Sequence, residues 1–393
     1  MAKKIVIVFL AVMTIFIGFQ LWGFLYLGKP TELVKNEALK ERPFEVKRLP
    51  GNPIIRHTMD KRLLEESRQY GYANINGPSL IRVPAWVQKP LGRYYLYFAH
   101  HKGEYIRLAY ADRVGGPWKI YSPGTLHLND SFFATEASRA RKIRSILGLW
   151  RRLTPTEFWT LLHVGLAARK AVEIRKSRNT LGSDELRAHI ASPDVIVDEE
   201  RREIRMYYHG LLADGTQLSR VALSTDGIHF TARPGILTTP YLRVFTCRDS
   251  YYGMSMPGIL YRSKDGLGGF EVRGKPLFGV NMRHAALLRR GSTLFVFWSR
   301  VGDAPERLLC STIDMSAEDW NDWRASMPVD LLHSEMPWEG ADLPVEPSIR
   351  GETTVRAHEL RDPAIFEEKG RTYLLYSCAG ENALAIAELM SKP

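Results

Sequence analysis

The residues of this chain that could do chemistry collect at the ends of apolar strands. Asp362 follows Arg361 and opens the run Pro363-Ala364-Ile365-Phe366. Glu306 sits in the polar turn Gly302-Asp303-Ala304-Pro305-Glu306-Arg307, and Glu381 in Ala379-Gly380-Glu381-Asn382. Asp194 comes two residues after Ser192, which keeps it on the same side of a strand. Two carboxyl groups driven apart in proton affinity make an acid–base pair. The cation of Arg361 favours the ionised form of Asp362. Glu306, Glu381 and Asp194 are the other carboxyl groups from which such a pair could be drawn. Each also has a plainer reading: a strand-start aspartate capping amides, a loop salt bridge from Glu306 to Arg300 or Arg307, a contact from Asp194 to a neighbouring unit. Around them stand Asn76, His100, His189, His209, Arg283, His284, Trp298 and Arg361 as candidate ligand-binding residues. Five of eleven histidines, His101 included, fall at these positions, which points to a ligand site. The arginines suit an anionic ligand or pair with local acids. Trp298 either stacks on a ligand ring or belongs to the core.

The elements that must position these groups repeat. Five apolar strands open at Gly77-Pro78, Ser192-Pro193, Thr239-Pro240, His284-Ala285 and Asp362-Pro363. An aromatic-rich strand follows each, as in Tyr94-Tyr95-Leu96-Tyr97-Phe98 and Leu294-Phe295-Val296-Phe297-Trp298, and then a third strand. This repeat predicts an all-β, five-bladed β-propeller over residues 44–393. In a propeller the strand openings and the ends of the second strands share one face, so the candidate residues converge at one end of the axis. The last unit lacks an outer strand, and residues 44–55 are the segment expected to supply it.

Between the first two units, about residues 131–187, the pattern breaks. Thr154-Pro155-Thr156-Glu157 reads as a helix start. This helical insertion is rich in arginine and lysine and accounts for much of the formal charge of +11. It is either a solvated decoration or a surface for anionic lipid. No nucleic-acid recognition module is visible. Residues 5–27 carry only Thr14 and Gln20 as clearly polar side chains, behind Lys3 and Lys4. At ~1.5 Å per residue such a run spans a bilayer core of ~30 Å. Residues 1–28 are therefore expected to be a signal anchor, with a cleaved signal as the alternative, 29–43 a linker, and the propeller extracytoplasmic or lumenal. Cys247, Cys310 and Cys378 show neither disulfide nor zinc spacing. No cofactor or metal site is demanded, although a propeller axis leaves room for calcium or another ion.

The unit Arg361-Asp362-Pro363-Ala364-Ile365-Phe366, followed by Gly370-Arg371-Thr372-Tyr373-Leu374-Leu375-Tyr376-Ser377, resembles that of the five-bladed propeller glycosidases. These include the family 43 arabinanases and xylosidases and the fructosidase–levansucrase relatives. Ser224-Thr225-Asp226-Gly227 and Ser263-Lys264-Asp265-Gly266 are similar to their outer-strand hairpins. The resemblance covers about residues 70–393 without the insertion. It implies cleavage of a glycosidic bond by a carboxyl pair in the axial pocket, with a carbohydrate substrate or ligand; for the acid of that pair it makes Glu306 the first candidate and Glu381 the second, with Asp194 as a substitute for the aspartate that tunes the acid. The chain departs from the pattern in the first unit, where Asn76-Gly77-Pro78 stands in place of a base aspartate. It departs again in the second, which offers Ser192 and then Asp194. A glycan-binding propeller that has lost part of the carboxylate set is the alternative.

Overall fold

A computed structural model describes residues 18, 22–35, 43–136, 150–174 and 187–391. Five antiparallel sheets surround one axis. Blade 1 comprises β3 (Asn76–Arg82), β4 (Tyr94–Ala99), β5 (Arg107–Ala111) and β6 (Lys119–Tyr121). Blade 2 comprises β7 (Ile190–Asp198), β8 (Glu203–Leu211), β9 (Gln217–Ser224) and β10 (Thr231–Ala232). Blade 3 holds β11 (Arg243–Cys247), β12 (Ser250–Ser255), β13 (Ile259–Ser263) and β14 (Glu271–Val272). Blade 4 holds β15 (Met282–Arg290), β16 (Thr293–Arg300), β17 (Leu308–Asp314) and β18 (Val329–Leu332). Blade 5 holds β19 (Arg361–Glu368), β20 (Arg371–Cys378) and β21 (Ala383–Ser391).

The outer strand of blade 5 comes from the other end of the chain. Strand β1 (Phe44–Arg48) pairs antiparallel with β21, from Phe44 opposite Ser391 to Arg48 opposite Ala387. The short β2 (Ile55–Arg56) adds to the same edge. Phe44 is buried, with its ring 5.2 Å from Phe295 and 5.8 Å from Phe297 in blade 4. The closing strand thus covers an edge and locks two blades together, as expected from the sequence.

Neighbouring blades are also tied by a device that repeats in the sequence. In Ser224-Thr225-Asp226-Gly227, Asp226 accepts from the Ile228 and His229 amides, and Gly227 takes φ +75°. Tyr97 of blade 1 donates to the Gly227 carbonyl at 2.7 Å. Tyr207 of blade 2 does the same to Gly266 of blade 3 at 3.1 Å. A Cβ at either glycine would come 2.9 Å from the tyrosine oxygen, so the turn needs glycine for space as well as for its left-handed backbone.

Accessory elements lie on the propeller. Helix α1 (Lys61–Tyr70) is capped by Asp60, which accepts from the Arg62 and Leu63 amides, and stops at left-handed Gly71. The insertion contributes α2 (Pro155–Ile174). Its basic residues Arg139, Arg141, Lys142, Arg144, Arg175, Lys176 and Arg178 lie outside the described residues, as do residues 1–17 and 19–21 of the expected anchor. Among the described residues no helix is long and apolar enough to cross a membrane. Residues 29–35, expected as linker, run along blades 3 and 4. The Thr31 amide donates to the Pro276 carbonyl, and Val34 exchanges backbone bonds with Ala325 and Met327.

The closing strand gives a direct test. Phe44→Ala should lower stability by about 3–5 kcal/mol, because it empties a packed site between two blades. Glu45→Ala on the exposed face of the same strand should stay within about 0.5 kcal/mol. Denaturant unfolding of both variants measures this. Equal effects would show that β1 is not a structural part of the ring.

Candidate active site

The first residues of the inner strands leave the sheet register. β-Bulges displace Gly77-Pro78, Ser192-Pro193, Arg283-His284 and Asp362-Pro363 from the ladder. Bulges re-aim side chains, and these four pairs stand at one end of the axis. In blade 3 the matching pair is Tyr241-Leu242, with Tyr241 at φ +66°. The opening expected at Thr239-Pro240 is therefore two residues early, and Tyr241 joins the site. A side chain would be crowded at the matching bulge of blade 1. Gly77 has φ +58°, and a Cβ there would lie 3.0 Å from the Ser192 Cα.

An arc of rings runs from blade 2 to blade 5. His189 lies 5.7 Å from His209, His209 4.3 Å from Tyr241, and Tyr241 4.2 Å from His284. His284 Nδ1 contacts Asp362 Oδ1, and the Ser377 hydroxyl donates to Oδ2 at 3.2 Å. Burial drives the three imidazoles toward the neutral form. His189 falls to about 4, against the pull of the Arg187 carbonyl, and His209 and His284 go well below the usual range. Uncharged imidazoles suit a site that already holds several arginines.

Beside this arc lies an ionic cluster centred on Arg361, which is fully buried. Its Nε is 3.3 Å from Glu306 Oε2, its Nη2 2.5 Å from Glu359 Oε2, and its Nη1 donates to Glu381 Oε1 at 3.2 Å. Arg283 reaches Glu306 Oε2 at 3.3 Å and donates to the Ile349 and Gly351 carbonyls. Ser299 donates to Glu306 Oε1 at 2.6 Å. Glu381 Oε2 accepts from Asn74 at 2.5 Å and Asn76 at 3.1 Å, with His101 Nδ1 3.8 Å away. Two guanidinium groups thus face three carboxyl groups, so one carboxyl can hold a proton and leave no cation unpaired. Burial raises the proton affinity of Glu359, Arg361 opposes it, and Glu306 and Glu381 add to the rise. Burial also acts on Glu381, but His101, Arg361, Arg283 and Asn74 outweigh it and hold that carboxyl below its usual range.

The structure therefore brings together Asp362, His284, His209, His189, Arg283, Arg361, Glu306, Glu381 and Asn76. Glu306 is enclosed by Arg283, Arg361 and Ser299, so it serves as the anchor of both arginines. Asp194 joins blades 2 and 3: the Val244 amide donates to its Oδ2 at 2.8 Å, and Arg243 Nη1 lies 3.6 Å from Oδ1. Burial raises its proton affinity, opposed by Arg243. Trp298 does not offer a ring to a ligand. It is core, 5.2 Å from the Phe278 ring, with its indole N–H donating to Ser311 at 3.2 Å. His100 accepts from the Lys102 amide at 3.0 Å and lies 4.5 Å from the Tyr70 ring of α1. Among the described residues no group of three or more His, Cys, Asp or Glu could hold a metal ion.

Sequence reasoning missed Tyr241, Glu359 and the Lys102–Glu352 ion pair at the rim. Glu359 lies just before β19, in an isolated bridge with Glu306.

No protein-family profile matches the chain. An uncharacterized protein, R118 of Acanthamoeba polyphaga mimivirus, is 29% identical over 370 residues, covering 88% of this chain and 90% of the relative. A candidate glycoside hydrolase from Parabacteroides distasonis superposes with a TM-score of 0.52 at 11% identity, over 91% of this chain and 98% of that one. A family 43 β-xylosidase/α-arabinofuranosidase from a compost metagenome, solved with xylotriose, gives 0.48 at 11% identity, over 88% and 95%. The fold is that of the five-bladed glycoside hydrolases. At these identities the likeness extends to the fold and no further.

Opposite shifts of Glu381 and Glu359 have opposite consequences for stability. The lowered value of Glu381 means a contribution that is complete above the ordinary glutamate range and lost as pH falls through the lowered value. The raised value of Glu359 means that the native state gives up stability as pH rises through its raised value. At neutral pH Glu381→Gln should cost about 3–5 kcal/mol, because it breaks a buried ion pair. Glu359→Gln should cost less, because the fold already favours the protonated form whose shape the amide keeps. Equal losses in thermal unfolding at neutral pH would contradict this assignment.

Proposed function

We propose that this propeller is a glycoside hydrolase-like enzyme, cleaving a glycosidic bond at the axial end where the bulged strand openings meet. The observation that carries the reading is a set of buried carboxyls with opposed proton affinities gathered on one guanidinium. Acetal cleavage needs such a set: one protonated group to release the leaving oxygen, one ionised group to activate water or attack the anomeric carbon. Asp362 takes the ionised role, held by His284 and Ser377. Glu359 takes the acid role in place of the expected Glu306. The shared fold supports the reading.

The substrate in this reading is an anionic glycan, such as one carrying a uronic acid. Arg350 stands beside Arg283 and Tyr241, and among the described residues its guanidinium has no carboxylate partner. It is held by the Val280 carbonyl and Met256 Sδ, and burial together with Arg283 lowers it to about 10. A substrate carboxylate would give that guanidinium the direct partner that Glu306, acting on it from further away, does not. In the same reading residues 5–27 tether the enzyme to a membrane.

The test is turnover of neutral and uronic-acid glycans by the full chain. Asp362→Asn and Glu359→Gln should each lose about 10²–10⁴-fold in kcat. Glu359→Gln should lose least on substrates with good leaving groups, which need less protonation. Normal turnover by a folded Asp362→Asn variant would remove this mechanism. Binding of a glycan with no turnover by the wild type would make the protein a glycan-binding propeller instead.

A further inference from the structure

Residues 22–28 and helix α2 form one packed platform on the flank of blade 3. Gly23 lies against the Trp159 indole so closely that a Cβ there would sit 2.1 Å from Nε1. His163 Nδ1 meets the Gly28 carbonyl at 3.0 Å, and Phe24 packs edge-on to His163 at 4.4 Å. The platform is pinned to the propeller. Tyr261 of β13 donates to Glu157 at 2.8 Å, Thr156 donates to the Gly274 carbonyl at 3.0 Å, and Lys275 Nζ lies 3.2 Å from the Tyr26 ring centroid. Residues 274–276 belong to the connection from β14 to β15. Such outer-to-inner connections feed the strand openings, so the platform sits at the same end of the propeller as the axial site.

The outward side of this platform is apolar. Trp22, Leu25, Tyr26 and Leu166 are 48%, 49%, 50% and 44% exposed. Trp22 and Tyr26 stack on each other at 5.6 Å. Lys29 is exposed next to them, and Lys275 is half-buried. A rigid cluster of tryptophan, tyrosine and leucine with lysines beside it has the composition of a membrane–water interface. The chain also dictates the partner. The apolar run that begins at Ile5 joins the described structure at Trp22, at the cluster itself.

We propose that this platform rests on a lipid bilayer, its aromatic and leucine side chains entering the headgroup region and its lysines meeting lipid phosphates. The proposal rests on the membrane tether but not on the hydrolase reading. It makes α2 an orienting element, which holds the axial end of the propeller next to the lipid surface.

The three described cysteines are buried, so a cysteine placed on the surface can be labelled selectively. Leu166→Cys tests the platform, and Glu200→Cys, in the β7–β8 turn at the opposite end of the strands, is the control. The full chain carrying a fluorophore at either position is reconstituted into vesicles of phosphatidylcholine and phosphatidylserine with nitroxide-labelled acyl chains. The label at position 166 should lose most of its emission, and the label at 200 should lose none. Vesicle-bound protein whose label at 166 is quenched no more than that at 200 overturns the platform and leaves the tether intact. Shielding of the label at 166 from both nitroxide lipid and aqueous iodide would mean that a second copy or another segment covers the patch, which also overturns it. Protein that does not float with vesicles removes tether and platform together, without touching the hydrolase reading.

Discussion

The buried guanidinium of Arg361 is the constraint on which this end of the molecule depends. A cation without solvent contact is costly unless carboxylates or carbonyls compensate it, and around Arg361 carboxylates do so. Here Glu306 comes from the turn before β17, Glu359 from the entry to β19, and Glu381 from the β20–β21 turn. Blades 4 and 5 are thus joined through one side chain, and Asn74 and Asn76 extend the joint to blade 1 through Glu381. The hydrophobic stacking of blades fixes the ring. The ionic cluster fixes what stands at its mouth, and its excess of carboxyl over guanidinium groups is what lets Glu359 and Glu381 diverge.

The remaining openings follow from space. The glycine at position 77 and the serine at 192 stand close together, so the bulges of blades 1 and 2 bring no carboxylate to the axis, and these blades contribute Asn76, His189 and His209 instead. Blades 3 and 4 fill the gap with Tyr241 and His284, and the resulting ring arc ends on Asp362. One bulge carboxylate is left, positioned by a neutral imidazole and not by a second acid. The chemistry assigned to this propeller consequently draws its proton donor from the Arg361 cluster, outside the bulge positions themselves.

Much of this was legible in the sequence, and the limits have physical causes. Alternating apolar and aromatic runs located the strands well: Ile259–Ser263 matches β13, and the missing outer strand led to Phe44–Arg48. The Asp-Gly segments were legible as outer-strand hairpins, but the tyrosine bonds they accept from the preceding blade were not. The third opening was misplaced because Tyr241-Leu242 has no proline to mark it, whereas Thr239-Pro240 does. Asp194 was read for its side of the strand, but two-residue spacing does not say whether that side meets the axis or the next blade, and the Val244 amide claims it. Trp298 failed for a related reason, since an aromatic at a strand end faces solvent or core according to the sheet stacked on it. Glu359 went unseen because it precedes the Asp-Pro signature, and its raised proton affinity comes first from burial and then from Glu306 and Glu381, remote in sequence.

The central claim is that two carboxyls of the Arg361 cluster part company, Glu359 releasing its proton at higher pH than Glu381. Infrared difference spectroscopy of the full chain along a pH titration addresses it directly, because a protonated buried carboxylic acid has a carbonyl stretch separate from that of carboxylates. The account expects that the buried-acid band lost last as pH rises is missing from Glu359→Gln and survives in Glu381→Gln. A last-titrating band unchanged in Glu359→Gln, or lost in Glu381→Gln, would contradict it.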